Sequence, residues 1–223
     1  MTAEDVTPRE VTLVKTDGRR VAGERTRQKL LEAACVLLAE HGDDGVRLRD
    51  ITEAADANVA AVHYHFGSKD ALCRQAVEQA VRRQLGDQIA QLRELGDDAT
   101  LEEVAAAWAR PVICATCGSP CEERSFQRIM ARVASDPPPE LREWVTSELS
   151  DADPEFLAPL RRVLPGIPDE ELRFRLECVA GILHFLGSGN MRFDLADMSA
   201  EELERLVIPV IAGALAGGPG GRT

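Results

Sequence analysis

The sequence predicts an all-α chain, with a compact N-terminal three-helix helix-turn-helix domain followed by a larger C-terminal helical bundle. Three observations carry that prediction. Apolar residues recur at spacings of three and four along most of the chain, helix caps and stop residues punctuate those stretches, and strand-like alternation bounded by hairpin turns is absent. At 223 residues the chain is long enough to bury a real core in one large domain or two small ones.

Residues 1–22 lack apolar periodicity and read as a flexible basic arm ending in Gly18-Arg19-Arg20. From Glu24 the pattern becomes helical. Leu30, Leu31, Ala34, Leu37 and Leu38 share one face, and Gly42 supplies a stop. Short helices are expected over 48–55, with Ile51, Ala54 and Ala55 inward, and over 59–65. Gly67-Ser68 then punctuates the chain, with Ser68 as N-cap of a longer helix whose stripe is Leu72, Ala76, Val77, Ala80 and Val81. The small domain is therefore placed at 23–70 and the larger one at 71–216, with 71–95 as connecting helix.

Gly96-Asp97-Asp98 marks an internal boundary. Thr100-x-x-Glu103 is a capping-box pattern that opens a helix toward Ile113, bent or ended near Pro111. Ser119-Pro120-x-Glu122 repeats the signal and predicts a helix to about Ala134, stopped by Asp136-Pro137-Pro138-Pro139. Further helices fit 140–149, 154–163, 168–186 and 200–215. The glycine-rich tail, 217–223, reads as disordered.

Composition excludes several classes. The first ten residues hold no apolar run of a secretory signal, and the longest apolar stretch, Val207–Ala216, is about half the ~20 residues a membrane helix needs. The reading is cytoplasmic, with no membrane partner, and the six cysteines are expected as thiols. No phosphate loop, nucleophile elbow or His-Glu-x-x-His pair is present, so neither an enzyme nor a cofactor is implied.

A formal net charge of −12 argues at first against nucleic acid, because phosphate repels an acidic surface. The charge is uneven, however. Residues 11–30 hold six basic and two acidic residues, and residues 1–70 carry a net −3, so most of the acidity lies in the larger domain. Lys15, Arg19, Arg20, Arg25 and Arg27 suit an arm along phosphates or into a groove, or a tail without ordered contact.

The stretch Ile51-Thr52-Glu53-Ala54-Ala55-Asp56-Ala57-Asn58-Val59-Ala60-Ala61-Val62 reads as helix, tight turn, helix, with small residues permitting close approach. The second helix offers Asn58, Ala60, Ala61 and His63 on or near one face. Asn pairs with adenine, alanine methyls meet thymine methyls, and the groups of Tyr64, His65 and Lys69 suit phosphate oxygens. Asn58 has a second use, as helix cap, and Arg47 and Arg49 are backbone-contact candidates. Phe66 and Leu72 read as core.

Residues 25–72 resemble the DNA-binding domain of the TetR family of bacterial transcriptional regulators. The resemblance rests on Ile51–Ala55 and on Val62-His63-Tyr64-His65-Phe66-Gly67-Ser68-Lys69-Asp70-Ala71-Leu72. Two positions depart from the family pattern. Asp56 stands where glycine is usual at the turn, and His63 where tyrosine is frequent; Asp tolerates left-handed backbone better than most residues.

The resemblance implies a homodimeric regulator, most often a repressor, on double-stranded operator DNA, released by a small-molecule effector of unspecified identity in the larger domain. It also implies dimerisation through the last two long helices. There Leu172, Leu176, Val179, Leu183 and Leu186, with Val207 and Ile211, are the expected interface, and Gly181, Gly187 and Gly213 permit close approach. Two alternatives stay open: a thiol-based metal or redox sensor using Cys114, Cys117 and Cys121, and an acidic helical interaction protein that has lost DNA binding. Cys35, Cys73 and Cys178 are expected in the core. His184 reads as a bundle or interface residue, and Arg173 and Arg175 as surface or pocket-rim residues.

Overall fold

A computed structural model of the chain describes residues 9–117, 121–135, 139–192, 195 and 198–217. Among these the backbone forms nine helices and no strand: α1 (Arg9–Gly45), α2 (Leu48–Ala54), α3 (Val59–Phe66), α4 (Lys69–Arg93), α5 (Leu101–Thr116), α6 (Cys121–Ser135), α7 (Pro139–Val163), α8 (Asp169–Gly187) and α9 (Ala200–Ala216). The chain divides into two compact units, Met1–Ala76 and Val77–Thr223, and α4 runs from the first into the second. No helix among the described residues is long and apolar enough to cross a membrane.

In the first unit α1 packs on α2 and α3, which also pack on each other. Leu30, Leu31, Ala34, Leu38, Val46, Ile51, Ala55, Val62, Phe66 and Leu72 are buried there. Each large side chain among them contributes about 1.5–3 kcal/mol through burial. Arg27 is held over the Phe66 ring at 5.4 Å and donates to Gln75 Oε1 at 2.9 Å, tying α1 to α3 and α4. Residues 9–22, expected without regular structure, are helical. Once the packed turns from Leu30 onward have nucleated α1, extension needs only one hydrogen bond per added residue and no apolar face. Residues 1–8 of the expected arm lie outside the described residues. Gly42 does interrupt the helix, with φ 70° and ψ 174°, but helix resumes to Gly45.

In the second unit α5 is the hub, packing against α6, α7, α8 and α9. Its buried residues, Val104 to Ala109 with Val112 and Ile113, are apolar. The expected capping box is present: Thr100 Oγ1 accepts from the Glu103 N–H at 3.2 Å and the Glu103 carboxylate accepts from the Thr100 N–H at 2.7 Å. The same device opens α9 through Ser199 and Glu202. These hydrogen bonds hold both carboxyls below the usual range, most strongly through the backbone N–H.

Of the bend or end expected near Pro111, the end does not occur, and neither does the break expected between 149 and 154. Helix α5 continues past Pro111 to Thr116, and α7 is continuous from Pro139 to Val163 across Pro154 and Pro159. An interior proline costs about 3 kcal/mol. The inward anchors Leu141, Ala152, Phe156, Leu157 and Leu160 on α7 offset that loss. The Ser119 cap, Pro120 and residues 136–138 lie outside the described residues, as does the tail beyond Gly217.

Candidate nucleic-acid interface and the exposed face of the last helices

The turn between α2 and α3 is built on Asp56. The Asp56 N–H donates to Glu53 O at 3.2 Å and the Ala57 N–H donates to Thr52 O at 2.9 Å, the paired bonds of a Schellman motif with Asp56 as its left-handed residue. Asp56 has φ 50°, the sole positive φ outside glycine among the described residues. Thr52, buried, donates to Arg49 O at 3.0 Å, so no polar group is stranded where the helices meet.

Helix α3 buries Val62 and Phe66 and turns its other side outward. Asn58, Ala60, His63 and Tyr64 are exposed, Tyr64 at 85 % of its surface, while Ala61 and His65 are half-buried. Val59, an exposed apolar residue at the start of the helix, joins this face and was not anticipated. Arg47 and Arg49 flank the start of α2 and are exposed.

Internal hydrogen bonds also engage the candidate contact residues Asn58, His63 and Lys69. Asn58 Oδ1 accepts from the Ala61 N–H at 2.9 Å; because the partner is a donor, the amide is oriented with its Nδ2 hydrogens outward. His63 Nδ1 lies 2.9 Å from Gly67 O. A carbonyl partner requires a proton on Nδ1, so the neutral imidazole keeps an acceptor at Nε2. Lys69 Nζ donates to Val46 O at 3.2 Å, joining the start of α4 to the segment before α2. Ser68 caps α4 as expected, accepting from the Ala71 N–H at 3.1 Å.

The last two helices differ from expectation. Leu172, Leu176, Val179, Leu183, Leu186 and Ile211 are buried inside their own unit, and Val207 is half-buried against the same core. A side chain without solvent exposure is already covered and has no surface left for a second molecule. The apolar side chains that α8 and α9 leave in water are different ones. Phe174 is 70 % exposed, Phe185 54 %, and Leu206 and Val210 56 % each. Cys178, expected in the core, is exposed between the two phenylalanines. Gly181 and Gly213 lie on the same faces with nothing within 4 Å of where a side chain would start. Phe174, Cys178, Gly181 and Phe185 are spaced by four, three and four, a second helical stripe on the side of α8 away from the buried one.

Cys117 is buried and Cys114 exposed, while the side chain of Cys121 lies outside the described residues. Burial, followed by the neighbouring Cys114, pushes the Cys117 thiol above its ordinary pKa and keeps it protonated. Among the described residues no three His, Cys, Asp or Glu side chains are grouped to hold a metal ion. Arg173 pairs with Asp153 at 2.6 Å. Arg175 is half-buried and donates to the carbonyls of Leu215 and Ala216 at 2.5 and 2.6 Å, closing the C-terminus of α9. Burial depresses the pKa of His184 from 6.5 to about 4, leaving it neutral.

Comparison with known proteins converges on one description. Residues 30–76 match the family described as bacterial regulatory proteins, tetR family, and residues 106–217, half of the chain, match the tetracyclin repressor-like C-terminal domain. Probable HTH-type transcriptional regulator YttP of Bacillus subtilis (strain 168) is 35% identical over 54 residues, which span 24% of this chain and 26% of that protein. The TetR family transcriptional regulator PfmR from Thermus thermophilus superimposes with a TM-score of 0.60 at 21% identity, covering 82% of this chain and 96% of PfmR. A cysteine mutant of the TetR family regulator CifR, complexed with 26 bp double-strand operator DNA, gives 0.60 at 18% identity over 86% of this chain and 96% of its own. A regulator from Saccharomonospora viridis in complex with choline gives 0.59 at 20% identity over 83% and 94%.

Proposed function

The chain belongs to the TetR family and is a DNA-binding transcriptional regulator, and from that premise we propose that it acts as a homodimeric repressor of a pseudo-palindromic operator, released by a small molecule bound in the second unit. The observation that carries this reading is α3: an exposed face of Asn58, Val59, Ala60, His63 and Tyr64 on a helix whose inner side is locked into the core. Such a helix enters a major groove by its N-terminal half, and a two-fold pair spaces its half-sites by about one helical turn.

The internal bonds of Asn58 and His63 support a role for each at the base edges. The outward Nδ2 of Asn58 donates to base acceptors. With Nδ1 engaged by Gly67 O, His63 turns Nε2 toward the base edges of the major groove. Val59 and Ala60 meet thymine methyls, while Arg47, Arg49, Tyr64 and Lys69 contact phosphates and set the register. The second copy is seated on Phe174, Cys178, Gly181, Phe185, Leu206 and Val210, the apolar face that one chain leaves uncovered. Release requires a ligand that binds the non-reading state of the dimer more tightly than the reading state.

The test is a fluorescence-anisotropy titration of the full chain against DNA upstream of its own gene, at two salt concentrations, beside scrambled DNA. Saturable binding that prefers the upstream DNA, at a stoichiometry of two chains per site, is expected. Equal affinity for both DNAs overturns the reading.

A further inference from the structure

Arg27 belongs by sequence to the basic residues read as an arm for phosphates, and the structure commits it elsewhere. Its guanidinium lies over the Phe66 ring at 5.4 Å from the centroid. Nη2 donates to Gln75 Oε1 at 2.9 Å, and Nη1 meets Glu24 Oε1 at 3.5 Å. The side chain is 33 % exposed. One turn earlier on the same face of α1, Gly23 passes His65: a side chain begun there would meet His65 Cε1 at 3.8 Å. One strip of α1 therefore holds His65 and Phe66, the last two residues of α3.

That end of α3 governs how the rest of the helix is turned. Helix α3 has eight residues, a length of about 12 Å, and buries only Val62 and Phe66. With so short an apolar seam, little else fixes its rotation about its own axis. Side chains reach about 5–6 Å from a helix axis, so a roll of about 10° displaces their tips by about 1 Å. Groups that must meet a partner at particular atoms have to be held within about 0.5 Å. Arg27 acts at this seam. The face of the Phe66 ring attracts the cation, and the bond to Gln75 on α4 fixes where over the ring the guanidinium stands.

We propose that Arg27 is a positioning residue for operator discrimination: without touching DNA, it fixes the roll of α3 through Phe66 and so sets how well Asn58 and His63 meet the base edges. This rests on the operator reading above, and it adds what holds the reading helix in register. The role requires arginine and not merely a cation. A lysine ammonium is a point charge without the planar fork that lies flat on a ring and reaches Gln75 at the same time. A phosphate contact makes the opposite demand, because lysine serves there as well.

The test begins with duplexes that the wild-type full chain enriches from a random pool, beside a scrambled duplex of the same length, each titrated over a series of salt concentrations. Wild type, Arg27→Lys, Arg27→Gln and Gln75→Leu are compared at a temperature where circular dichroism shows all four folded. Preference for the enriched duplex over the scrambled one is expected to fall about tenfold in both Arg27 variants and about threefold in Gln75→Leu. Affinity for the scrambled duplex should stay at the wild-type level in Arg27→Lys and Gln75→Leu, which keep the charge. The slope of log affinity against log salt should be unchanged in Arg27→Gln.

Full preference in Arg27→Lys and Gln75→Leu would overturn the proposal, and with a lowered melting temperature it would leave Arg27 a stabilising residue only. A salt slope shallower by about 0.9 in Arg27→Gln would overturn it too, returning Arg27 to the phosphates. A pool from which wild type enriches nothing breaks the operator reading itself, and the proposal falls with it.

Discussion

Helix α3 and the pair α8–α9 both hold unburied side chains against water, but of opposite kinds. On α3 the exposed set is mostly polar, and its members are aligned by the helix itself: Asn58 by the Ala61 N–H, His63 by Gly67 O. On α8 and α9 the exposed set is Phe174, Phe185, Leu206 and Val210, and no hydrogen bond orients it. The first arrangement suits a partner that must be met at particular atoms. The second suits a partner that excludes water over an area, which a second copy of the same two helices can do.

The largest expected effect breaks that comparison on the apolar side. Phe185→Glu combined with Val210→Glu places charges at the centre of the proposed seam. Two central interface residues worth at least about 2 kcal/mol each imply a dimer weakened about a thousandfold or more, with operator binding falling alongside. Light scattering should then report a folded monomer with unchanged helical circular dichroism. Leu183→Ala, one stripe away, should instead cost about 2–5 kcal/mol of folding stability through a cavity. If the double variant remains dimeric, the second copy sits elsewhere.

His184 lies between the two stripes of α8 and sharpens their boundary. Its pKa falls from 6.5 to about 4 on folding, so between those values the unfolded chain binds a proton that the folded chain does not. Stability is therefore full above about pH 6.5 and declines as pH drops toward 4. One pKa unit is worth about 1.4 kcal/mol, and discounting for partial exposure leaves a loss of about 2 kcal/mol. Urea denaturation of wild type and His184→Gln at a series of pH values checks this. The variant should flatten the slope in that window, and parallel curves would refute the assignment.

On the polar side the effect is smaller and separable. Asn58→Ala removes both the cap, worth about 1 kcal/mol, and the outward Nδ2 donors. Asn58→Ser keeps a capping oxygen and removes only the donors. The expected outcome is near-native stability in the serine variant, with operator affinity reduced by about 1–3 kcal/mol at one base position per half-site. Native affinity in the serine variant would reduce Asn58 to a cap.

These two regions were not equally legible in the sequence. Around Ser68, Asn58 and Asp56, residue identity carries the geometry: a hydroxyl before a helix caps it, and an Asp at a tight turn tolerates left-handed backbone. On α8 identity carries little, because the same spacing of three and four is met twice. One stripe runs through Leu172, Leu176, Val179 and Leu183, the other through Phe174, Cys178, Gly181 and Phe185. Periodicity favours the longer aliphatic stripe, and only packing shows that this chain keeps it for its own core. The inward commitment of Arg27 was invisible for a related reason, since which side chains meet across helices is a three-dimensional property that spacing does not encode.

The smallest expected effect concerns Asp56, which joins the two helices of the reading head. Left-handed backbone costs a residue with a Cβ about 1–2 kcal/mol, less for Asp, while glycine gives back part of the relief through greater freedom in the unfolded chain. Asp56→Gly should therefore stabilise the chain by about 0.5 kcal/mol, a rise of about 1–2 °C in melting temperature. Asp56→Asn should match wild type, and Asp56→Ala should fall below it. The same series separates backbone from charge. If the acid beside the reading helix repels phosphate, Gly and Asn should both tighten operator binding, and the gain should shrink as salt rises. A stability order with Ala above Gly would instead mean that the turn does not need its left-handed residue.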